Sequence, residues 1–452
     1  MSVVIHYILD LGAEIFLPIV MILLSLIIGM KLKKALTSGL TLGIAFIGMN
    51  IILSFMFSAI SPAADAFVKS TGIKLTTIDV GWSPLAAISW AWPYALTVFP
   101  IQIAINLIML ALGWTNCLNV DLWNVWGKIL TAVIIAAITK SIPIALIIAG
   151  IQVVFELKNA DLLQKQIYNI TKIPGITCPH IMMLQSIILA PINRLLDFVP
   201  GINKANIDAK KLKEKIGIFG ENSVMGFIVG ALIAAFGGYN LKGILTTAMQ
   251  VGTALVLFPM VAKLFMQALS PIADAAGTFM KKRFKGREFY IGLDWPFLAG
   301  QAEVWVTAII LVPFELALAI VLAKMGVSNV LPLGGIINIC FVAPALIVTG
   351  GNLVRMIILG LVTTPIYLIV SSSFSSIITD LGKTVNSVQI PKGQFLTWFG
   401  LEAPEFRWAM SRAANVINGD MLGIVILVAY LALCFWYYKY MTKRNLELTE
   451  SK

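Results

Sequence analysis

Charge is scarce in this sequence. Acidic and basic side chains make up 12% of the 452 residues, while 59% are hydrophobic, against a charged share of about a quarter in an average soluble domain. A water-soluble fold has no means of covering that much apolar surface, so the bilayer is read as the solvent. Histidine occurs twice and cysteine four times, at Cys117, Cys178, Cys340 and Cys434, with no C-x-x-C pair and no zinc-type spacing. Neither a metal, nor a cofactor, nor a disulfide framework is therefore expected. The absence of a G-x-x-x-x-G-K-[ST] loop excludes transport energised by nucleotide hydrolysis within this chain. The first apolar run follows Asp10 and Glu14 rather than a basic leader with a cleavage site, so a removable signal peptide is not expected either.

Long hydrophobic runs fill the space that charge leaves. Phe16 to Met30, Gly39 to Ile60, Ile129 to Phe155, Ile358 to Val370 and Leu422 to Tyr438 are nearly charge-free, and several reach the roughly 20 residues of a spanning helix. The formal charge of +11 sits in clusters at Lys31 to Lys34, Lys210 to Lys215, Lys281 to Arg287 and Lys439 to Arg444. Each cluster abuts an apolar span, which makes them topogenic signals on cytoplasmic loops and not a nucleic-acid surface.

The chain also repeats itself. Ser61-Pro62-Ala63-Ala64-Asp65-Ala66 returns as Ser270-Pro271-Ile272-Ala273-Asp274-Ala275, an offset of 209. From Trp82 onward the offset is 213, with Trp82, Leu85, Trp92 and Pro100 matched by Trp295, Leu298, Trp305 and Pro313, and Ala190-Pro191 and Arg194 by Ala403-Pro404 and Arg407. If Lys31 to Lys34 are cytoplasmic, the N-terminus and a Ser61-Pro62 loop lie outside, yet Ser270-Pro271 runs into Lys281-Lys282-Arg283 and must lie inside. The same motif faces opposite sides. The expectation is an all-α integral membrane protein of about 11 transmembrane helices in two inverted repeats with re-entrant hairpins, plus one C-terminal helix that returns the C-terminus to the cytoplasm. Its parts are a first repeat at 1–205, a basic cytoplasmic linker at 206–218, a second, inverted repeat at 219–418, and a final helix with its tail at 419–452. Such repeats favour alternating access around a site near the bilayer midplane.

Polar groups inside an apolar chain mark that site. The densest set is Asp294-Trp295-Pro296, Gln301, Glu303 and Glu315, with Asp79, Gly81-Trp82-Ser83-Pro84, Ser89, Trp90, Gln102 and Asn106 as its counterpart. Asp294 and Glu303 are the candidate functional acids. His180 and Gln185, in Thr177-Cys178-Pro179-His180-Ile181-Met182-Met183-Leu184-Gln185, can bridge hydroxyls. Ser89 and Gln301 offer further hydrogen bonds. Thr349-Gly350-Gly351-Asn352 reads as a broken helix whose exposed backbone groups line a cavity, with Asn352 a candidate substrate-binding residue. Trp82 and Trp295 offer indole faces to the C–H face of a sugar or polyol.

At these residues the chain resembles a known family. Asp79-Val80-Gly81-Trp82-Ser83-Pro84-Leu85-Ala86, Gly292-Leu293-Asp294-Trp295-Pro296, and the stretch from Val330 through Leu331-Pro332-Leu333-Gly334-Gly335-Ile336-Ile337-Asn338 to Gly350-Gly351-Asn352 look like the galactitol IIC permeases of the sugar phosphotransferase system. The resemblance implies a homodimer in the bacterial inner membrane, an elevator-like motion, and entry of a sugar alcohol coupled to its phosphorylation. It also implies a soluble IIB partner carrying a phosphocysteine and a IIA partner that supplies it. Asp294 and Glu303 enter that reading by chemistry and position, and the basic loop Lys281 to Arg287 as a docking surface for the phosphorylated partner. An H⁺- or Na⁺-coupled secondary transporter of a polyol or sugar is the alternative that the same repeat could support.

Overall fold

The computed structural model describes residues 13–70, 76–79, 81–82, 85–86, 89, 92–121, 124–202, 205, 222–283, 289–332, 335–385 and 395–450. The expected basic linker 206–218, residues 284–288, Ser83-Pro84 and Trp90 lie outside the described residues.

The chain opens on a helical hairpin, α1 (Ala13–Ile27) and α2 (Leu32–Ser70), and a second of matching lengths follows the linker, α7 (Asn222–Phe236) and α8 (Leu241–Arg283). At about 1.5 Å per residue, α2 and α8 are each roughly twice as long as the hydrocarbon layer is thick. Ser61-Pro62, expected in a loop, and its repeat Ser270-Pro271 lie inside these helices. A proline removes one hydrogen bond and kinks a helix without having to end it in a membrane, where neighbours re-satisfy the backbone. Between α7 and α8 small residues bring the backbones together: a Cβ on Gly226 would stand 2.7 Å from the Gly252 Cα, the close approach on which helix pairs in lipid depend. The two long helices pack antiparallel. Gly48 of α2 lies against Val261 of α8, and Ser58, Ala59 and Pro62 share a cavity with Lys242, Gly243, Thr246 and Gln250.

Beyond the hairpins come α3 (Ala95–Ala111), α4 (Val125–Thr139), α5 (Ile142–Thr171), α6 (Ser186–Leu196), α9 (Ala302–Lys324), α10 (Ile339–Thr349), α11 (Leu353–Ser373), α12 (Ser375–Val385), α13 (Pro404–Ala414) and α14 (Leu422–Glu450). Among the described residues α5, α9, α11 and α14 are long and apolar enough to cross a membrane, with α3, α4, α6, α7 and α10 as shorter apolar helices. The run Ile129 to Phe155 is not one span. It breaks at Lys140, whose φ of 55° is left-handed, and Pro143 opens the next helix. Thr349-Gly350-Gly351-Asn352 does break the second half, with φ of 67° and 82° at the two glycines and Asn352 capping α11 through the Arg355 N–H. At about 22 Å and 16 Å, α4 and α10 are shorter than the hydrocarbon layer of roughly 30 Å is thick.

The all-α expectation holds for the described residues apart from six strands of two or three residues. These form two parallel sheets in which the halves of the chain interlock. In the first, β1 (Thr77–Asp79) lies between β5 (Val330–Leu331) and β6 (Phe395–Thr397), pairing Ile78 with Leu331 and Leu396. In the second, β4 (Tyr290–Gly292) lies between β2 (Cys117–Asn119) and β3 (Ile176–Thr177), pairing Ile291 with Leu118 and Ile176. Each central strand comes from one half and both its neighbours from the other. A Cβ on Gly292 would press to 2.5 Å from Pro179 and 2.8 Å from Cys117 Sγ, so glycine lets these strands close. One continuous core, running from Met21 to Met441, joins the two halves.

Candidate functional site

Parallel strands send their carboxyl ends to the same side, and that topology builds the site. Asp121 follows β2, His180 follows β3 and Asp294 follows β4, so three residues distant in sequence leave one sheet together. One donor atom from each lies within 4.8 Å of the others. The exits of the first sheet are instead tied by Asp79. Its carboxylate accepts the backbone N–H of Gly81 at 3.0 Å, Gly335 at 2.6 Å and Phe399 at 3.0 Å.

His180 is buried, and its Nδ1 accepts the Met182 N–H at 3.2 Å. A nitrogen that accepts carries no proton in the neutral ring, so the proton sits on Nε2. That nitrogen faces two carboxylates, Asp294 Oδ1 at 3.6 Å and Glu402 Oε1 at 3.5 Å. Asp294 caps the short 3₁₀ turn Trp295–Gly300, with Oδ1 accepting the Trp295 N–H at 2.7 Å. Asp121 is held by Asn124, through its N–H at 3.2 Å and its side-chain amide at 2.7 Å. Asn124 in turn accepts the Trp126 indole N–H at 3.1 Å.

A buried ionic frame surrounds the cluster. Arg407 of α13 donates to the Gly127 carbonyl at 2.9 Å, the Thr131 hydroxyl at 2.5 Å, the Glu402 carbonyl at 3.1 Å and Glu402 Oε2 at 3.3 Å. Lys128 of α4 pairs with Glu156 of α5 at 2.5 Å, and Gln152 donates to the same carboxylate at 2.8 Å. In apolar surroundings such charges persist only when paired and hydrogen-bonded.

The residues expected from sequence are brought together only in part. Asp294 and His180 come together, with the half-buried Trp295 beside them. Gln185 lies in the turn after His180, and with its amide nitrogen as donor it pairs with the Glu405 carboxylate. Glu303 sits half-buried in the first turn of α9, where the helix dipole favours an acid. The carboxylates within ion-pair distance of the imidazole, among the described residues, are Asp294 and Glu402. Gln301 ends the 3₁₀ turn, and Trp82 packs half-buried against the core. Ser89 is buried, its hydroxyl donating to the Leu85 carbonyl at 2.7 Å. Asn352 has both ends of its amide engaged, with Arg355 N–H and the Ala205 carbonyl. Trp305, the repeat counterpart of Trp92, is sealed in the core, its indole N–H donating to the Ala299 carbonyl at 2.7 Å.

Sequence reasoning passed over Asp121, Lys128, Glu156 and Glu402. Lys128 and Glu156 are the residues that bound the run Ile129 to Phe155, and the break at Lys140 folds its two ends against each other.

Broken helices and parallel strand exits that bury acids, an imidazole and two cations inside an apolar shell define a multi-pass membrane protein with an internal polar centre. Residues 7–393 match the PTS system sugar-specific permease component family, EIIC-GAT, and the chain belongs to it. It is 33% identical over 390 residues, 86% of each chain, to the PTS system galactitol-specific EIIC component of Escherichia coli strain K12, and equally to that of strain O157:H7. Over 434 residues, 94% of this chain and 96% of the relative, it is 28% identical to a putative permease IIC component of strain K12. The family resemblance read from Asp79 through Asn352 is thereby confirmed, and the protein is a multi-pass membrane permease component.

Proposed function

We propose that this chain carries a sugar alcohol, galactitol before other hexitols and pentitols, across the bacterial inner membrane and presents one of its hydroxyls to the phosphocysteine of a separate IIB protein, which IIA recharges. The observation that carries the reading is the convergence of Asp121, His180 and Asp294 at the strand exits, within a chain 33% identical to a galactitol-specific relative. A polyol is a row of hydroxyls, each donor and acceptor at once, and carboxylates beside an imidazole N–H complement both roles. In the transfer, the substrate oxygen attacks phosphorus in line, the O–P bond forms as the S–P bond breaks, and the hydroxyl proton passes to a carboxylate. Asp294 is the first choice for that base because it faces His180, and Glu303 the second. Trp295, Trp82, Gln185, Gln301, Ser89 and Asn352 complete the set of proposed substrate-side groups.

An inverted pair of repeats that rocks or slides about this centre belongs to the same reading. It is supported by the antiparallel packing of α2 on α8 and by the exchange of central strands between the two sheets. The proposed topology places the N-terminus outside, the C-terminus and the linker 206–218 inside, and two protomers in a dimer.

The test is uptake of labelled galactitol by cells expressing this chain with and without a cognate IIB, followed by chromatography of the intracellular label. Galactitol phosphate recovered only with IIB is the expected result. Unmodified label accumulating without IIB would instead identify an ion-coupled carrier. Asp294→Asn should lower phosphorylation by about 10²-fold or more, the range for a lost general base.

A further inference from the structure

His180 Nε2 is a buried donor with two carboxylates in range and neither close. Separations of 3.5 Å to Glu402 and 3.6 Å to Asp294 exceed the roughly 2.7–3.2 Å of a formed N–H···O bond. A group that closes the gap completes the hydrogen bond that Nε2–H can donate. A hydroxyl set beside the ring and an acid, within hydrogen-bond distance of both, can accept from Nε2–H and donate to a carboxylate oxygen in the same pose.

Glu402 is built to be such an acceptor. Its Oε2 is occupied by Arg407, which leaves Oε1 toward the imidazole. Arg407 is held in place because three of its other donors bond the Gly127 carbonyl, the Thr131 hydroxyl and the Glu402 carbonyl. The next residue, Ala403, is a buried alanine at φ 43°, ψ 64°, a left-handed conformation that residues with a Cβ seldom adopt. Strain of this kind persists where the surroundings over-determine it, and it concentrates at functional sites. Room is also kept on the other side: a Cβ on Gly127 would lie 3.2 Å from Glu402 Oε2.

We propose that Glu402 is a substrate-contacting residue, accepting a hydrogen bond from a second hydroxyl of the polyol next to His180, and that Arg407 is its positioning residue. The inference deepens the sugar-alcohol reading above and rests on it.

The experiment is galactitol phosphorylation by the full chain reconstituted with IIB, comparing wild type with Glu402→Gln, and comparing galactitol with its monodeoxy analogues. Glu402→Gln keeps the shape but loses the charge. It should raise KM for galactitol about ten- to a hundred-fold, the effect of losing a hydrogen bond to a charged group, while kcat changes far less. For the analogue that lacks the contacted hydroxyl, the penalty of the substitution should largely vanish. Thr131→Val, which removes one tether of Arg407 without touching any charge, should give a smaller KM rise of the same pattern. An unchanged KM in Glu402→Gln overturns the proposal, as does an equal loss on every analogue, which a purely structural counter-ion to Arg407 would produce. A wild-type chain that phosphorylates no polyol overturns the sugar-alcohol reading itself and this inference with it. An active wild type with an unaffected Glu402→Gln overturns the inference alone.

Discussion

Lys128 Nζ lies 2.5 Å from Glu156 Oε2, with both side chains all but sealed from solvent. Removing one partner strands a charge in apolar surroundings, whereas removing both does not. Lys128→Met and Glu156→Gln should each destabilise the protein by about 3–5 kcal/mol, the range for breaking a buried pair. The double variant should lose less than the sum. Thermal unfolding of the purified proteins in one detergent, arranged as a double-mutant cycle, reads the coupling, and additive losses would show that the pair does not act as one.

Asp79 is a structural hub in the first sheet, where its counterpart strand in the second sheet leads to Asp294. Asp79→Ala leaves three backbone N–H groups, of Gly81, Gly335 and Phe399, without their acceptor. At about 1–3 kcal/mol for each buried unsatisfied group, the yield of monodisperse extracted protein should collapse. Asp79→Asn retains acceptor capacity on one oxygen and should lose less. Size-exclusion profiles of the two variants decide the point, and a normal profile for Asp79→Ala would exclude the hub role.

Asp197, just past α6, connects the two halves through Arg355 at 2.7 Å and also pairs with Arg194 at 2.7 Å. Burial works to raise its pKa, but the two guanidinium groups, Arg355 first, outweigh it and hold the carboxyl below the ordinary carboxylate value. A depressed folded-state pKa contributes stability that is fully present above the unfolded value of about 3.9 and is lost as pH falls through the folded value. The Tm gap between wild type and Asp197→Asn should therefore be constant from neutral pH down to about pH 5 and close below about pH 4. A gap that persists in acid would assign the aspartate's contribution to packing rather than charge.

The antiparallel contact of α2 with α8 is open to a direct chemical check. A Cβ on Gly48 would lie 3.3 Å from the Val261 side chain, within the reach of a disulfide. Gly48→Cys with Val261→Cys should cross-link under mild oxidation, and the two halves should stay joined after cleavage at a protease site inserted in 206–218. Failure to cross-link would count against this packing.

Much of the architecture was legible in the order of residues. Apolar runs long enough for the bilayer require a membrane protein whatever the fold, because no water-soluble surface can hide them. The offsets of 209 and 213 reappear in the matched hairpins, from Ala13 to Asn222, and in the matched strands, from Thr77 to Tyr290 and from Cys117 to Val330. The glycine pair at 350–351 broke its helix as expected, since two left-handed residues cannot continue one. The Ser61-Pro62 turn failed because a proline inside a long membrane helix bends it without ending it.

The site was legible only in part. His180 and Asp294 stood out as polar residues in apolar context, but nothing local to either says that the other is its neighbour. That pairing was decided by tertiary structure: strands too short to read from periodicity run parallel and deliver Asp121, His180 and Asp294 to one side. Glu402 and Arg407 gave no linear signal of joining them, because their relation to His180, Gly127 and Thr131 exists only where the two halves of the chain interlock. Hydrophobic length is a property of a segment and can be read from it; the meeting of two carboxylates and an imidazole is a property of how segments pack.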